Sequence, residues 1–75
     1  MKLELRVVGI DLAKNLFHLV GMDDRGTMIF RKCLARGEVM PFMATLSRVL
    51  VGMEAWGGAH YWARQLREQG HRWFV

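Results

Sequence analysis

Glu38-Val39-Met40-Pro41-Phe42-Met43-Ala44-Thr45-Leu46-Ser47, followed after Arg48 by Val49-Leu50-Val51-Gly52-Met53 and then Glu54, is the passage on which the fold turns. Val39, Phe42, Met43, Leu46 and Leu50 recur at three-and-four spacing, the period of a helix with one apolar face. Pro41 suits the first turn of such a helix, where its missing N–H has no intrahelical acceptor to serve. A helix is therefore predicted over about 38–47. Val49 to Met53 carries no charge, is too short for another helix and is closed by an acid, as a buried central strand is. Helix then buried strand is half of a crossover, and what lies on either side decides which sheet it crosses.

Towards the N-terminus, Leu3 to Ile10 alternates at first and then runs apolar, and Leu16 to Met22 and Gly26 to Lys32 are two further β-rich runs. Asp23-Asp24-Arg25-Gly26 between the last two suits a tight turn, so three antiparallel strands form a meander. Towards the C-terminus, Gly57-Gly58 loosens the backbone. Ala59, Trp62, Ala63 and Leu66 resume helical spacing, with Arg64, Arg67 and Glu68 on the wet face and Gly70 where a left-handed cap belongs. Arg72 to Val75 opens a last strand. Parallel crossovers wind right-handed, which sets the fourth strand beside the first and the fifth outside the fourth, order 3-2-1-4-5. The fold class is α/β, a mixed sheet of five strands with two helices, in the strand order of ribonuclease H-like folds. The apolar ending Phe74-Val75, without a turn signal, adds the expectation of a truncated domain that continues into a further covering helix.

Composition sets the outer bounds. Seventy-five residues make one small domain or part of one, with 52% apolar residues and a formal net charge of +4, which excludes a disordered tail or a collagen-like repeat. No apolar stretch approaches the roughly twenty residues of a membrane span, and no secretory leader opens the chain, so a cytoplasmic protein is expected. The lone Cys33 forms no internal disulfide, and with three scattered His it matches no zinc spacing.

Two tetrads share one shape: Val8-Gly9-Ile10-Asp11 and Val51-Gly52-Met53-Glu54 are apolar strands with Gly two places before a terminal acid. Parallel neighbours would bring those acids together at the strand ends, about 5 Å apart, where open α/β sheets bind ligands. Paired carboxylates favour a hard divalent cation, Mg²⁺ or Mn²⁺, and so the chemistry of phosphodiester cleavage or exchange. The plainer account makes Asp11 a turn former with Asn15 and Glu54 a helix cap, and residues alone divide evenly between the two. Lys14 and Asn15 follow Asp11 closely enough to touch a phosphate, though a solvated loop explains them as well. Trp56, His60, Tyr61 and Trp62, with Arg64, form an aromatic and basic cluster able to stack on bases and meet phosphates. Trp62 fits the core better, and His60 has no orienting partner in sequence.

The residues Val8-Gly9-Ile10-Asp11-Leu12-Ala13-Lys14-Asn15, Leu50-Val51-Gly52-Met53-Glu54-Ala55, Gly57-Gly58-Ala59-His60-Tyr61-Trp62-Ala63-Arg64 and Gly70-His71 resemble the N-terminal RuvC-like domain of DEDD transposases. These form the insertion-sequence family "one-ten", which includes the Piv-type invertases. The likeness covers nearly the whole chain. It implies DNA transposition and site-specific recombination by an acidic tetrad that binds divalent metal, with its first Asp at Asp11 and its Glu at Glu54. In that family the two further Asp, and a domain carrying a nucleophilic Ser, follow the segment matched here, so residues 1–75 would be the N-terminal part of the domain and inactive alone. The resemblance also implies a structured guide RNA and homo-oligomeric assembly. Trp56 departs from it, standing where a small residue is expected. An actin-like ATPase or sugar kinase shares the Gly-Ile-Asp opening, but Leu12-Ala13-Lys14 lacks the Gly and hydroxyl of its phosphate loop. A non-catalytic oligomerising or nucleic-acid-binding module is the remaining alternative, suggested by a sheet with one face uncovered.

Overall fold

The structure, a computed structural model, describes residues 4–54 and 59–74. In chain order the elements are β1 (Val7–Ala13), β2 (Leu16–Met22), β3 (Met28–Leu34), α1 (Arg36–Ala44), β4 (Leu50–Met53), α2 (Ala59–Glu68) and β5 (Arg72–Phe74). They form one mixed sheet in the order β3-β2-β1-β4-β5, antiparallel from β1 to β3 and parallel from β1 to β5. This is the order expected from the crossover rule. Gly57-Gly58 and Trp56 lie outside the described residues.

Boundaries depart from expectation where pairing overrides local pattern. β1 begins at Val7 rather than Leu3 and continues past Asp11 to Ala13, because Lys14 and Asn15 make a two-residue hairpin turn that pairs Ala13 with Leu16. Both turn residues have positive φ, 51° and 67°, as a type I′ turn needs. β3 is shifted towards the C-terminus because Leu34 pairs with Phe17. α1 begins two residues early, so Pro41 sits in its second turn and leaves the Gly37 carbonyl without its helical donor. Glu38 secures the start of α1 instead, its carboxylate accepting the Ala35 N–H at 2.8 Å.

Both helices cover the same sheet face. Val8 and Ile10, Phe17 and Leu19, and Val51 and Met53 point to it by strand alternation and pack against Val39 and Met43 of α1 and Trp62, Ala63 and Leu66 of α2. Trp62 stacks on Phe17 with ring centroids 4.4 Å apart. α2 closes as foreseen at Gly70, whose φ of 92° permits a Schellman turn in which Gly70 N–H donates to Arg67 and His71 N–H donates to Leu66. His71 then enters the core: Nδ1 accepts the Val49 N–H at 3.2 Å, and Nε2 lies 2.9 Å from the Met43 carbonyl. An Nδ1 that accepts leaves the proton on Nε2, so the neutral ring donates to Met43 and ties the end of α1 to the starts of β4 and β5.

Candidate metal and nucleic-acid site

Among the described residues, the sheet face away from the helices has no covering element, and alternation fixes what it presents. In β1 it is Val7, Gly9 and Asp11; in β2, His18, Val20 and Met22; in β4, Leu50 and Gly52, with Glu54 next in line; in β5, Phe74. Most of these line one open cleft of about 820 Å³, together with Arg31 from β3. Gly9 and Gly52 are register partners in the parallel ladder and form its floor. Apart from its chain neighbours, no heavy atom of the described residues lies within 4 Å of where a Gly9 Cβ would be, so the backbone there is open to approach.

Asp11 and Glu54 stand at one end of this cleft, and both are exposed. Each follows a paired residue, Ile10 and Met53, on adjacent parallel strands spaced about 4.8 Å. Asp11 is opposite His18 across the hairpin, and His18 is opposite Cys33, so the acids open a polar row across the sheet. No group of three or more His, Cys, Asp or Glu among the described residues is arranged to hold a metal ion. Two carboxylates with room beside them nonetheless suit Mg²⁺ or Mn²⁺, which keep several waters and take one or two carboxylates plus substrate phosphates.

The other residues expected at a site fall elsewhere. Lys14 and Asn15 are committed to the hairpin turn, exposed but outside the cleft. His60 and Arg64 are exposed on α2, on the helical side of the sheet, and do not line it. Trp62 is core. His18 and Phe74 were not anticipated, whereas Arg31 reads from sequence as one of several basic residues fit for phosphate contact. The first was legible: a two-residue turn at Lys14–Asn15 pairs Ala13 with Leu16 and, two steps back, Asp11 with His18.

No protein-family model matches the chain, and no solved structure matches it at a significant level. Curated proteins do. A fold of this order with acids at its central strand ends is found here in a chain homologous, over nearly all its residues, to transposases of insertion sequence elements. It is 46% identical over 69 residues to a protein of Pseudomonas aeruginosa named "Probable family 20 transposase", a match covering 92% of the chain and 20% of that protein. It is 38% identical to the transposase for insertion sequence element IS1328 of Yersinia enterocolitica, over 88% of the chain and 20% of the relative. To the transposase for IS1111A of Coxiella burnetii it is 34% identical, over 89% of the chain and 18% of the relative. The chain thus spans about a fifth of the length of the curated relatives it matches. No described helix is long and apolar enough to cross a membrane.

Proposed function

We propose that this chain is the ribonuclease H-like, RuvC-type segment of a DNA transposase, and that Asp11 and Glu54 are its contribution to a divalent-metal site for strand cleavage and exchange. The observation that carries the reading is the placement of these two acids at adjacent parallel strand ends on one open cleft, in a chain whose relatives are named transposases. A bound Mg²⁺ or Mn²⁺ would polarise a scissile phosphate and raise the acidity of an attacking water or hydroxyl. The chain's own residues prepare for that partner. Gly9 leaves its part of the floor open so that a nucleic-acid backbone can approach the sheet closely, the Phe74 ring lies over Gly52, and Arg31 places a positive charge in the same cleft. Asp11 and Glu54 supply acceptor oxygens only, so without a cation their combined charge repels a phosphate.

The test is Mn²⁺ binding, followed by the loss of the free-ion electron paramagnetic resonance signal as the chain is added. Two carboxylates without further protein ligands are expected to give a dissociation constant on the order of 10⁻⁴–10⁻³ M. Asp11→Asn and Glu54→Gln should each weaken it at least roughly tenfold while the circular dichroism spectrum is unchanged, since both side chains are exposed. Binding unaltered by either substitution would falsify the metal assignment.

A further inference from the structure

The end of the sheet opposite the acids carries a cleft lined by arginines. β1, β4 and β5 run parallel, so their starts lie together, and an arginine stands at each: Arg6 before β1, Arg48 before β4 and Arg72 as the first residue of β5. Backbone bonds hold these starts side by side, Leu50 N–H donating to the Arg6 carbonyl at 3.0 Å and Arg72 N–H to the Val49 carbonyl at 3.2 Å. All three arginines are exposed, and all three line one cleft of about 260 Å³ with Val49, Leu50 and Gly70. No acid lines it. Among the described residues the one ion pair is Arg6 with Glu4, at 3.1 Å and with both side chains more than half exposed, a contact worth little against solvent. Arg48 is laid in place by a missing side chain: its Nε, Cγ and Cδ lie 3.4–3.9 Å from where a Gly70 Cβ would be.

We propose that this three-arginine cleft binds the phosphodiester backbone of a nucleic acid, at a point separate from the bond presented to Asp11 and Glu54. Guanidinium groups are planar five-donor forks matched to phosphate oxygens, and three of them, of which only Arg6 meets an acid and that in an exposed pair, form a site for polyanions. Arg6 and Asp11 are five residues apart along one strand, roughly 17 Å at about 3.3 Å per residue. That exceeds the Debye length of about 10 Å at 0.1 M salt, so the cleft does not tune the acids and instead holds a different phosphate of the same polymer. The rival role for these arginines is to complement the C-terminal ends of α1 and α2, which also reach this end of the sheet.

The proposal takes from the transposase reading only the choice of polymer, and the test is run in chelator so that it is independent of any metal site. Binding of the chain to a fluorescent DNA duplex, the matching single-stranded DNA and an RNA of the same sequence is followed by anisotropy across a salt series. Removing two phosphate contacts with the Arg48→Gln, Arg72→Gln double variant should flatten the slope of log affinity against log salt by about 1.8 on duplex and about 1.4 on single strands. Arg25→Gln, a charge loss in the β2–β3 turn at the same end of the sheet but outside the lining of the cleft, should leave the slope within a few tenths of the unaltered chain. Flattening on any of the three polymers supports the site, and the polymer affected identifies its source. An unchanged slope on all three overturns it, as does equal flattening by Arg25→Gln. A double variant that melts earlier yet keeps the slope also overturns it, since its arginines then serve the helix ends alone.

Discussion

His71→Ala removes both ends of the bridge between α1, β4 and β5. The ring is 4% exposed and uses both nitrogens, so its loss leaves the Val49 N–H buried without a partner, while the Met43 carbonyl keeps the Leu46 N–H at 3.2 Å and loses its second bond. The orphaned N–H costs about 1–3 kcal/mol and the lost bond to Met43 about 0.5–1.5 kcal/mol, giving a penalty of about 1.5–4.5 kcal/mol before any cavity is counted. A domain of this length has a total stability of about 4–11 kcal/mol, so the bridge accounts for about two-fifths. A loss of about 3 kcal/mol lowers Tm by roughly 12–24 °C. With a urea m-value of about 1 kcal/mol/M, the unfolding midpoint falls by roughly 3 M. Tryptophan fluorescence reads the transition, because Trp62 leaves its stack on Phe17 as the core opens. His71→Asn should recover the bond to Val49 and His71→Gln the bond to Met43, each restoring about 1 kcal/mol. His71→Phe fills the space but answers neither backbone group, so it should remain destabilised. The reasoning fails if His71→Ala unfolds within 1 M urea of the unaltered chain, or if His71→Phe matches it.

The glycines and the hairpin turn give sharper contrasts. A Cβ at Gly21 would lie 2.3 Å from Cε2 of Phe30, whose ring packs edge-on against Phe42, so Gly21→Ala should cost about 1–3 kcal/mol in urea unfolding. At Gly52 a Cβ meets the Phe74 ring at 2.8 Å, but that side chain is half exposed and can swing away, so Gly52→Ala should cost less than Gly21→Ala. Gly9→Ala, with no neighbour within 4 Å, should be neutral or stabilising by about 0.5 kcal/mol, and a ranking that places it above Gly21→Ala in cost would contradict these contacts. Replacing Lys14-Asn15 by Asn-Gly, the pair best suited to two positive φ angles, should raise stability by about 1 kcal/mol; a lower Tm would show that the turn is not of type I′.

Residue pattern was a good guide where local periodicity and tertiary demand agreed. Leu16–Met22 alternates cleanly between a wet and a buried face and was bounded without error, and Gly70 announced its left-handed cap. It misled where pairing decides. Asp11 reads as a strand terminator, yet a wet-face acid has no reason to end a strand whose hairpin partner continues to Leu16. Arg36 and Gly37 do not read as a helix start, and α1 begins there because Glu38 can reach back to Ala35. The convergence of Asp11 and Glu54 was legible from the repeated tetrad, since equal spacing from Gly to acid on two parallel neighbours keeps their ends level. Arg48 and Arg72 read as members of a basic set fit for phosphates, but their convergence with Arg6 was not legible, because the three are separated in sequence and share only the fact that each precedes or opens a parallel strand. His71 looked like an unremarkable polar residue after a helix, and nothing in the linear pattern foretells that both its nitrogens are used inside.

The central place of β1 also orders events in time. Its antiparallel partner is reached through two residues, so Ala13 meets Leu16 after closing a minimal loop, whereas Ile10 meets Met53 only once a helix and most of the chain have been made. Loop-closure entropy makes the short connection quick and the long one slow. The hairpin can therefore form early and display Asp11 with His18 opposite it, but Glu54 arrives only with the late parallel docking. A chain in which β4 has yet to dock carries one acid at that strand end, and the pair exists only once β4 lies beside β1.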